Sequence, residues 1–458
     1  MTTKPSDTAT AIALLAADAY VYGYPPLFDL AEVRRLLTNS AGMLPTAPFN
    51  EFSNATALAT PETKFVSVNN DTIYSVANID TSGGPVRFDV PDAGDRYYVM
   101  QFVDVWTNNF AYVGRRATGT GAGSYLLVAP DWEGKAPKGT TVIRFPTTVG
   151  TIVGRWAVDG EDDLAEVAKL QAGLRLTPTG PGVGLPAPTP GVGDELAFFE
   201  RLRVLVRAFP PAQRDQEFQQ RFAPLGLFAE ECPYLNPDPT VAALLRRGLE
   251  LGKQAVEKAA GQVAKAEQNG WQLTYHMFDY NIDFFEVGTI DSPEWKLPDT
   301  PARYLERATT ARGALWGNHG YEACYPTTFV DTDGNALDGA HSYELRFDSP
   351  PPCDAFWSIT MYDRPNYFLV DNPIGRYSIG DRTPGLKTGK DGSLTITIQH
   401  EEPTDATRRA NWLPAPAGPF RPMLRVYQPQ KSLLDGSYVL PGITRIEDKK
   451  PAGKRAKG

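Results

Sequence analysis

The chain has 458 residues, 42% hydrophobic and 22% charged, with a net charge of −9 at pH 7. That length exceeds one ordinary domain, the composition is globular, and the acidic balance excludes non-specific nucleic-acid binding. Three scattered cysteines, Cys232, Cys324 and Cys353, form no Cys-x-x-Cys pair; they exclude a disulfide framework and point to a reducing, cytoplasmic setting.

The first ten residues lack a basic stretch followed by a long apolar run. Residues 11–24 are apolar but broken by Asp18 and followed by Pro25-Pro26, so neither a secretory signal nor a membrane span is expected. Residues 8–38 read as a helix carrying Ile12, Leu15, Ala16, Tyr20, Leu30, Val33 and Leu37 on one stripe. The two prolines should kink or break it. From 64 to 158 the chain reads as strand after strand: 64–68, 72–79, 86–90, 97–105, 110–113, 124–129, 141–145 and 151–158. Gly, Pro, Asn and Asp punctuate them, as in an antiparallel sandwich or jelly roll. Asp159 then caps a helix with Glu161, Asp162 and Asp163 in its first turn and Leu164, Val167 and Leu174 on its apolar side.

Residues 177–193 are rich in Pro and Gly and almost uncharged, which marks a linker. A helical middle follows. Phe198, Leu202, Leu205 and Phe209 pattern residues 194–209; Val241, Leu244, Leu251 and Ala255 pattern 240–268; a further helix covers 302–315. Strands resume at 327–332, 341–347, 356–362, 394–400 and 423–426, and the lysine-rich end reads as a disordered basic tail. The expected fold is therefore α+β and β-rich, with two β-sandwich or jelly-roll-like domains. The N-terminal helix and first β domain span 8–176, the linker and helical middle 177–318, the second β domain 319–445 and the tail 446–458.

Candidate chemistry centres on Asn69-Asn70-Asp71-Thr72-Ile73-Tyr74. Three short polar side chains in a row favour a turn, and Thr72 and Tyr74, two apart, share a strand face. Asp71 is the candidate acid or base and Tyr74 its proton-donating partner, with Asn69 and Thr72 positioned to bind substrate; a turn stitched by its own hydrogen bonds fits the same residues. Asp104 and Asp363 end strands and would join Asp71 if the two β domains face each other. Trp106, Asn108 and Tyr112 offer a flat face and amides to a sugar or similar ligand, or else form a hairpin turn with core aromatics. In 356–362, Trp357, Ile359 and Met361 form a core face, whereas Ser358, Thr360 and Tyr362 form a hydroxyl-rich face that lines a pocket or interface.

Metal and cofactor signals are absent. His276, Asp279 and Asp283 lack further ligands, and His319 in Asn318-His319-Gly320 reads as a helix stop. No Gly-x-Ser-x-Gly, His-Glu-x-x-His or Walker sequence occurs, and the glycine-rich 119–123 precedes a strand rather than a helix. Neither a metal nor a cofactor is expected.

The run 69–74 resembles the Asn-x-Asp-Thr-Leu-Tyr core of domain of unknown function 1254, as do Gly114-Arg115-Arg116 with the stretch 121–130, and Gly154-Arg155-Trp156-Ala157-Val158-Asp159-Gly160. Residues 356–363 and Asn411-Trp412-Leu413-Pro414-Ala415-Pro416 resemble the core and closing signature of domain of unknown function 1214. The resemblance implies the two-domain architecture and leaves activity open. Two functions then follow from the residues: a cofactor-independent hydrolase or lyase acting on a small polar or amphipathic molecule, or a non-catalytic module binding a small molecule or glycan. A homo-oligomer is expected, without nucleic acid or membrane as partner.

Overall fold

The computed structural model describes residues 7–39, 44–64, 66–260 and 267–446. The expected basic tail beyond Ile446, Phe65 of the expected 64–68 strand, and 261–266 of the expected 240–268 helix lie outside the described residues.

Alternating β-branched and aromatic residues build the first domain from two sheets. One has the order Phe52–Asn54, Thr72–Asp80, Val149–Ala157, Tyr98–Asp104, Asn109–Gly114. The other has the order Thr141–Arg144, Gly123–Val128, Val86–Val90, Arg175–Pro178. Their inner faces share Ile73, Ala77, Phe88, Phe102, Leu127 and Trp156 as one apolar core. The second domain repeats the plan. Its larger sheet centres on Cys353–Asp363 paired antiparallel with Phe420–Pro429, and its smaller sheet has the order Trp412–Pro414, Leu394–Gln399, Ser342–Phe347, Ile443–Ile446. Trp357, Ile359 and Met361 point into that core with Leu345, Ile396 and Val426. The molecule is thus α+β and β-rich, with a helical layer beside the sandwiches. No helix among the described residues is long and apolar enough to cross a membrane.

The structure corrects several local expectations. Helix Asp7–Thr38 continues through Pro25 and Pro26 instead of breaking there. Residues on both sides of the prolines, Ala16, Tyr20, Tyr22 and Leu30, bury in one helical core, and this packing outweighs the lost hydrogen bonds. In helix Pro239–Ala260 the buried stripe is Ala242, Leu245, Gly248, Leu249, Gly252 and Val256, whereas Val241 is exposed. The two glycines let the N-terminal helix approach closely: a Cβ on Gly248 would lie 2.4 Å from the Ala16 Cβ. The helix after Asp159 opens with the 3-10 turn Glu161–Asp163 and has Gly160, not Asp159, at its cap. Asp159 instead accepts from Arg382 at 2.9 Å.

The expected 64–68 strand does not form around the described residues there. Val66 is exposed and Ser67 takes a positive φ of 53°. The backbone is claimed by the second domain: Ser67 N–H donates to Tyr367 O, Arg425 donates to Ser67 O, and Tyr362 donates to Val68 O. This loop, leading into Thr72–Asp80, brings the polar turn against the other sandwich.

Candidate functional site between the two sandwiches

Period-2 alternation on both paired strands of the second domain creates one polar face. The register sets Ser358 opposite Arg425, Thr360 opposite Met423, Tyr362 opposite Arg421 and Phe356 opposite Tyr427. All eight lie on the side away from the Trp357–Ile359–Met361 core. Facing them in the first domain are Thr72 and Tyr74, with Arg155 opposite Tyr74 on the next strand and Val99 beyond it.

Asp71 sits between these faces. Its carboxylate does not stitch its own turn. Tyr427 donates to one oxygen at 2.7 Å and Ser358 donates to the other, both from the second domain. Asn69 serves the turn instead: its carbonyl oxygen accepts from the backbone N–H of Asp71 at 2.7 Å and of Thr72 at 3.1 Å, and its amide donates to the Tyr427 hydroxyl at 2.6 Å. Burial, and next the neighbouring Asp71 charge, push the Tyr427 phenol well above its ordinary pKa, so it stays protonated and donates. Tyr362 donates to Val68 O at 2.7 Å and accepts from Arg425 at 2.6 Å; Arg425 also donates to Thr360 at 2.7 Å.

On the opposing wall Arg155 donates to Gln101 at 2.7 Å and to Trp316 O at 2.7 Å, and its guanidinium lies 5.5 Å from the centre of the Tyr74 ring. Tyr325 lies within electrostatic reach of Arg155, Arg425 and Tyr74 together. Tyr74, Tyr325 and Met423 keep accessible surface although they face inward, while Asp71, Ser358, Arg425 and Tyr427 are buried. The Thr72 hydroxyl and the Arg421 Nε are buried without a hydrogen-bond partner. Orphaned polar atoms are rare in native interiors, and others lie away from this interface, such as the Trp357 indole N–H and the Arg303 and Arg307 Nε.

The sequence-derived candidates thus divide. Asn69, Asp71, Thr72, Tyr74, Ser358, Thr360 and Tyr362 come to this one interface. Tyr112 lies to its side, its hydroxyl 2.9 Å from Nδ1 of His319. Trp106 and Asn108 lie elsewhere. The Trp106 indole donates to Phe209 O within the helical core, and Asn108 grips Asp104 through its backbone N–H at 2.8 Å and its amide at 2.9 Å. Asp104 is therefore part of that turn and not of the Asp71 group, and burial pushes its carboxyl up to about 6. Asp363 caps its own turn by accepting from Phe368 N–H. His319 is not a helix stop, since the preceding helix ends at Gly313. It is a buried hub that both Tyr112 and Tyr321 contact at Nδ1, and burial, with Arg116 nearby, pushes it down to about 3. Among the described residues no three His, Cys, Asp or Glu side chains converge as metal ligands.

Arg155, Arg421, Arg425, Tyr325 and Tyr427 were not singled out from sequence. The alternation of Arg421, Met423, Arg425 and Tyr427 against Pro422, Leu424 and Val426 carries the same signal as 356–362 and could have found three of them. A separate surface cavity of about 520 Å³ is lined by Thr189, Arg203, Glu230 and Cys232. Its Arg203 is already held by Glu200 at 2.7 Å, and its Cys232 thiol donates to the same carboxylate at 3.1 Å.

A model described as protein of unknown function DUF1254 matches residues 49–178, and one described as protein of unknown function DUF1214 matches 322–431. No curated protein matches the chain. Among solved structures, the chain is similar to the VPA0106 protein from Vibrio parahaemolyticus, with 24% identity, TM-score 0.70, and coverage of 95% of this chain and 100% of that one. A second, an uncharacterised protein from Burkholderia cenocepacia, aligns at 11% identity and TM-score 0.45 over 96% of this chain and 95% of that one. The first likeness supports the fold alone. Asp71 and Tyr74 fall within the first matched segment, and Ser358, Arg425 and Tyr427 within the second. The chain belongs to the two-domain family in which DUF1254 is followed by DUF1214.

Proposed function

We propose that the space between the two sandwiches is the active site of a cofactor-independent enzyme, of hydrolase or lyase type, acting on a small polar or amphipathic molecule. The observation that carries this reading is the direction of Asp71: its carboxylate is presented across the domain interface to Ser358 and Tyr427 instead of to its own turn. A carboxylate held by two hydroxyl donors is fixed in orientation and retains lone pairs for a substrate proton. Tyr74, on the accessible side, supplies a phenol to donate or orient, and Ser358, Thr360 and Tyr362 supply hydroxyls on the opposite wall. Trp106 and Asn108, spent on the helical core, take no part, and Tyr112, fully buried against His319 and Tyr321, supports the wall from behind.

A second reading is favoured by one fact: both Asp71 oxygens already have protein donors, as they would in a lock between domains or in a non-catalytic ligand- or glycan-binding module. A thermal-shift screen of wild type and Asp71→Asn against metabolites and glycans separates the two. A ligand that binds only the native state raises Tm by mass action. The enzyme reading expects a hit that shifts wild type and is turned over by it, with turnover lost in a folded Asp71→Asn. A hit bound equally by both proteins without turnover supports the binding module instead. The same preparations, run by sedimentation velocity, test the expected homo-oligomer.

A further inference from the structure

We infer that the ligand of this interdomain site carries an oxyanion, a carboxylate or phosphate group, attached to an apolar or aromatic body. The inference rests on the proposed interdomain site and adds the chemical class of what fills it.

Three arginines reach the interface with accessible areas of only 6%, 7% and 3%: Arg155 from the first sandwich, Arg421 and Arg425 from the second. A guanidinium stays charged in any such setting, and burying it is costly unless an anion answers it. Yet the acceptors these arginines meet are neutral. Arg155 has the amide oxygens of Gln101 and Asn318 and the carbonyl of Trp316. Arg425 has Thr360, Tyr362 and the carbonyl of Ser67. Arg421 has the Ser67 hydroxyl at 2.6 Å and the Tyr367 and Tyr362 ring faces at 4.5 and 4.9 Å, and its Nε has no partner.

Two further arginines around the space are paired. Arg382 pairs with Asp159, and Arg116 with the buried Glu322 at 2.6 Å. What remains is Asp71 against three guanidiniums, an excess of positive charge inside the protein. Arg421 registers that excess: burial, together with repulsion from Arg425 and Arg364, pushes it down to about 10. An oxyanion is the natural complement, because guanidinium forks and phenol hydroxyls both donate to it. The rest of the lining sets the body of the ligand. Tyr74, Tyr325 and Met423, which keep accessible surface, offer two phenol rings and a thioether, which suit an apolar or aromatic group.

Benzoate and benzamide differ in charge but hardly in shape, and phenyl phosphate carries the tetrahedral alternative. Calorimetric titration of each into the full chain at constant ionic strength tests the inference. Benzoate or phenyl phosphate should bind, and whichever is tighter identifies the anion; benzamide should bind at least about tenfold more weakly. Arg425→Gln and Arg155→Gln should each weaken the anion at least about tenfold. Arg421→Gln, which gives up one hydrogen bond, is the variant to use if either of those fails to fold, and it should lower affinity measurably. Asp71→Asn should bind the anion as well as wild type or better, since it removes a negative charge from the site. Equal binding of benzamide and benzoate, anion affinity unchanged by the arginine variants, or no anion binding at millimolar concentration would overturn the inference. The site itself would survive if a neutral compound then shifted wild type and lost its shift or its turnover in Asp71→Asn; if no compound shifts wild type, the site reading fails as well.

Discussion

In the helical layer, two buried arginines come with carboxylates, whereas a third, Arg307, meets the carbonyls of Trp106 and Tyr280 and the amide oxygen of Asn108. Arg203 makes a double contact with Glu200 at 2.7 and 2.9 Å, and Arg303 meets Asp215 at 2.8 Å with the Tyr304 hydroxyl on the same oxygen. Between the sandwiches, Arg155, Arg421 and Arg425 are as deeply buried and meet amides, hydroxyls and backbone carbonyls. Both arrangements hold the side chains in place, but only the first neutralises them. A buried ion pair is a closed unit whose disruption leaves a stranded charge. Guanidiniums held by neutral groups keep more of their field, which can act on another group of the chain, as that of Arg307 does on Asp104, or on a ligand. The comparison therefore separates ion-paired arginines from arginines held by neutral groups, and Arg307 shows that the second arrangement also occurs within the fold.

The largest test of that contrast is Arg303→Met. It strands Asp215 beside a single phenol and should cost about 3–5 kcal/mol in urea unfolding. A loss below about 1 kcal/mol would dissolve the distinction between the two regions, because the helical pair would then be no more structural than a surface one. Next comes acid. His319 is held at about 3 against an ordinary 6.5, because burial disfavours its charged form. Its folded pKa is depressed, so its contribution is complete above about 6.5 and declines as pH falls towards 3, where the unfolded chain takes up the proton first. Replacing His319 with Gln should flatten stability measured across that window; an unchanged slope would place the acid sensitivity elsewhere. Gly248→Ala should cost about 1–3 kcal/mol, since the new methyl overlaps Ala16 and the helices must part. The smallest effect is expected at the interface: Arg421→Met, in the absence of ligand, should change stability by no more than about 1 kcal/mol, because it removes a buried charge that has two ring faces and one hydroxyl but no carboxylate. A loss as large as that at Arg303 would mean that Arg421 belongs to the fold.

Much of this molecule was legible in its sequence because its signals are periodic. The 356–362 alternation divided core from polar face correctly, since strand sides depend only on parity. Strand positions across the first sandwich followed from β-branched and aromatic runs. What failed were features decided by distant partners. Residues 64–68 look like a strand, but the backbone groups of Ser67 and Val68 are taken by Tyr362, Tyr367 and Arg425, far along the chain, and no local pattern announces that. The stripe of the 239–260 helix was misplaced because Gly248 and Gly252 count as neutral in a hydrophobic pattern, whereas in space they are the contact. Asp71 could be recognised as the pivot of a polar turn. That its carboxylate crosses to Ser358 and Tyr427 depends on how two domains meet, and local spacing does not encode it. Trp106 and Asn108 carried the composition of a ligand site but occupy the side of the sheet covered by helices, where the same groups satisfy the turn and fill the core.

The central claim is that one ligand site is built jointly by both sandwiches around Asp71. Hydrogen exchange, measured with and without the compound that raises Tm, tests it most directly, because backbone protection reports where binding stabilises local structure. The account predicts simultaneous protection of residues 67–75 in the first domain and 421–427 in the second, with residues 229–236 by the surface cavity unchanged. Protection confined to one sandwich, or appearing at 229–236 instead, would contradict it.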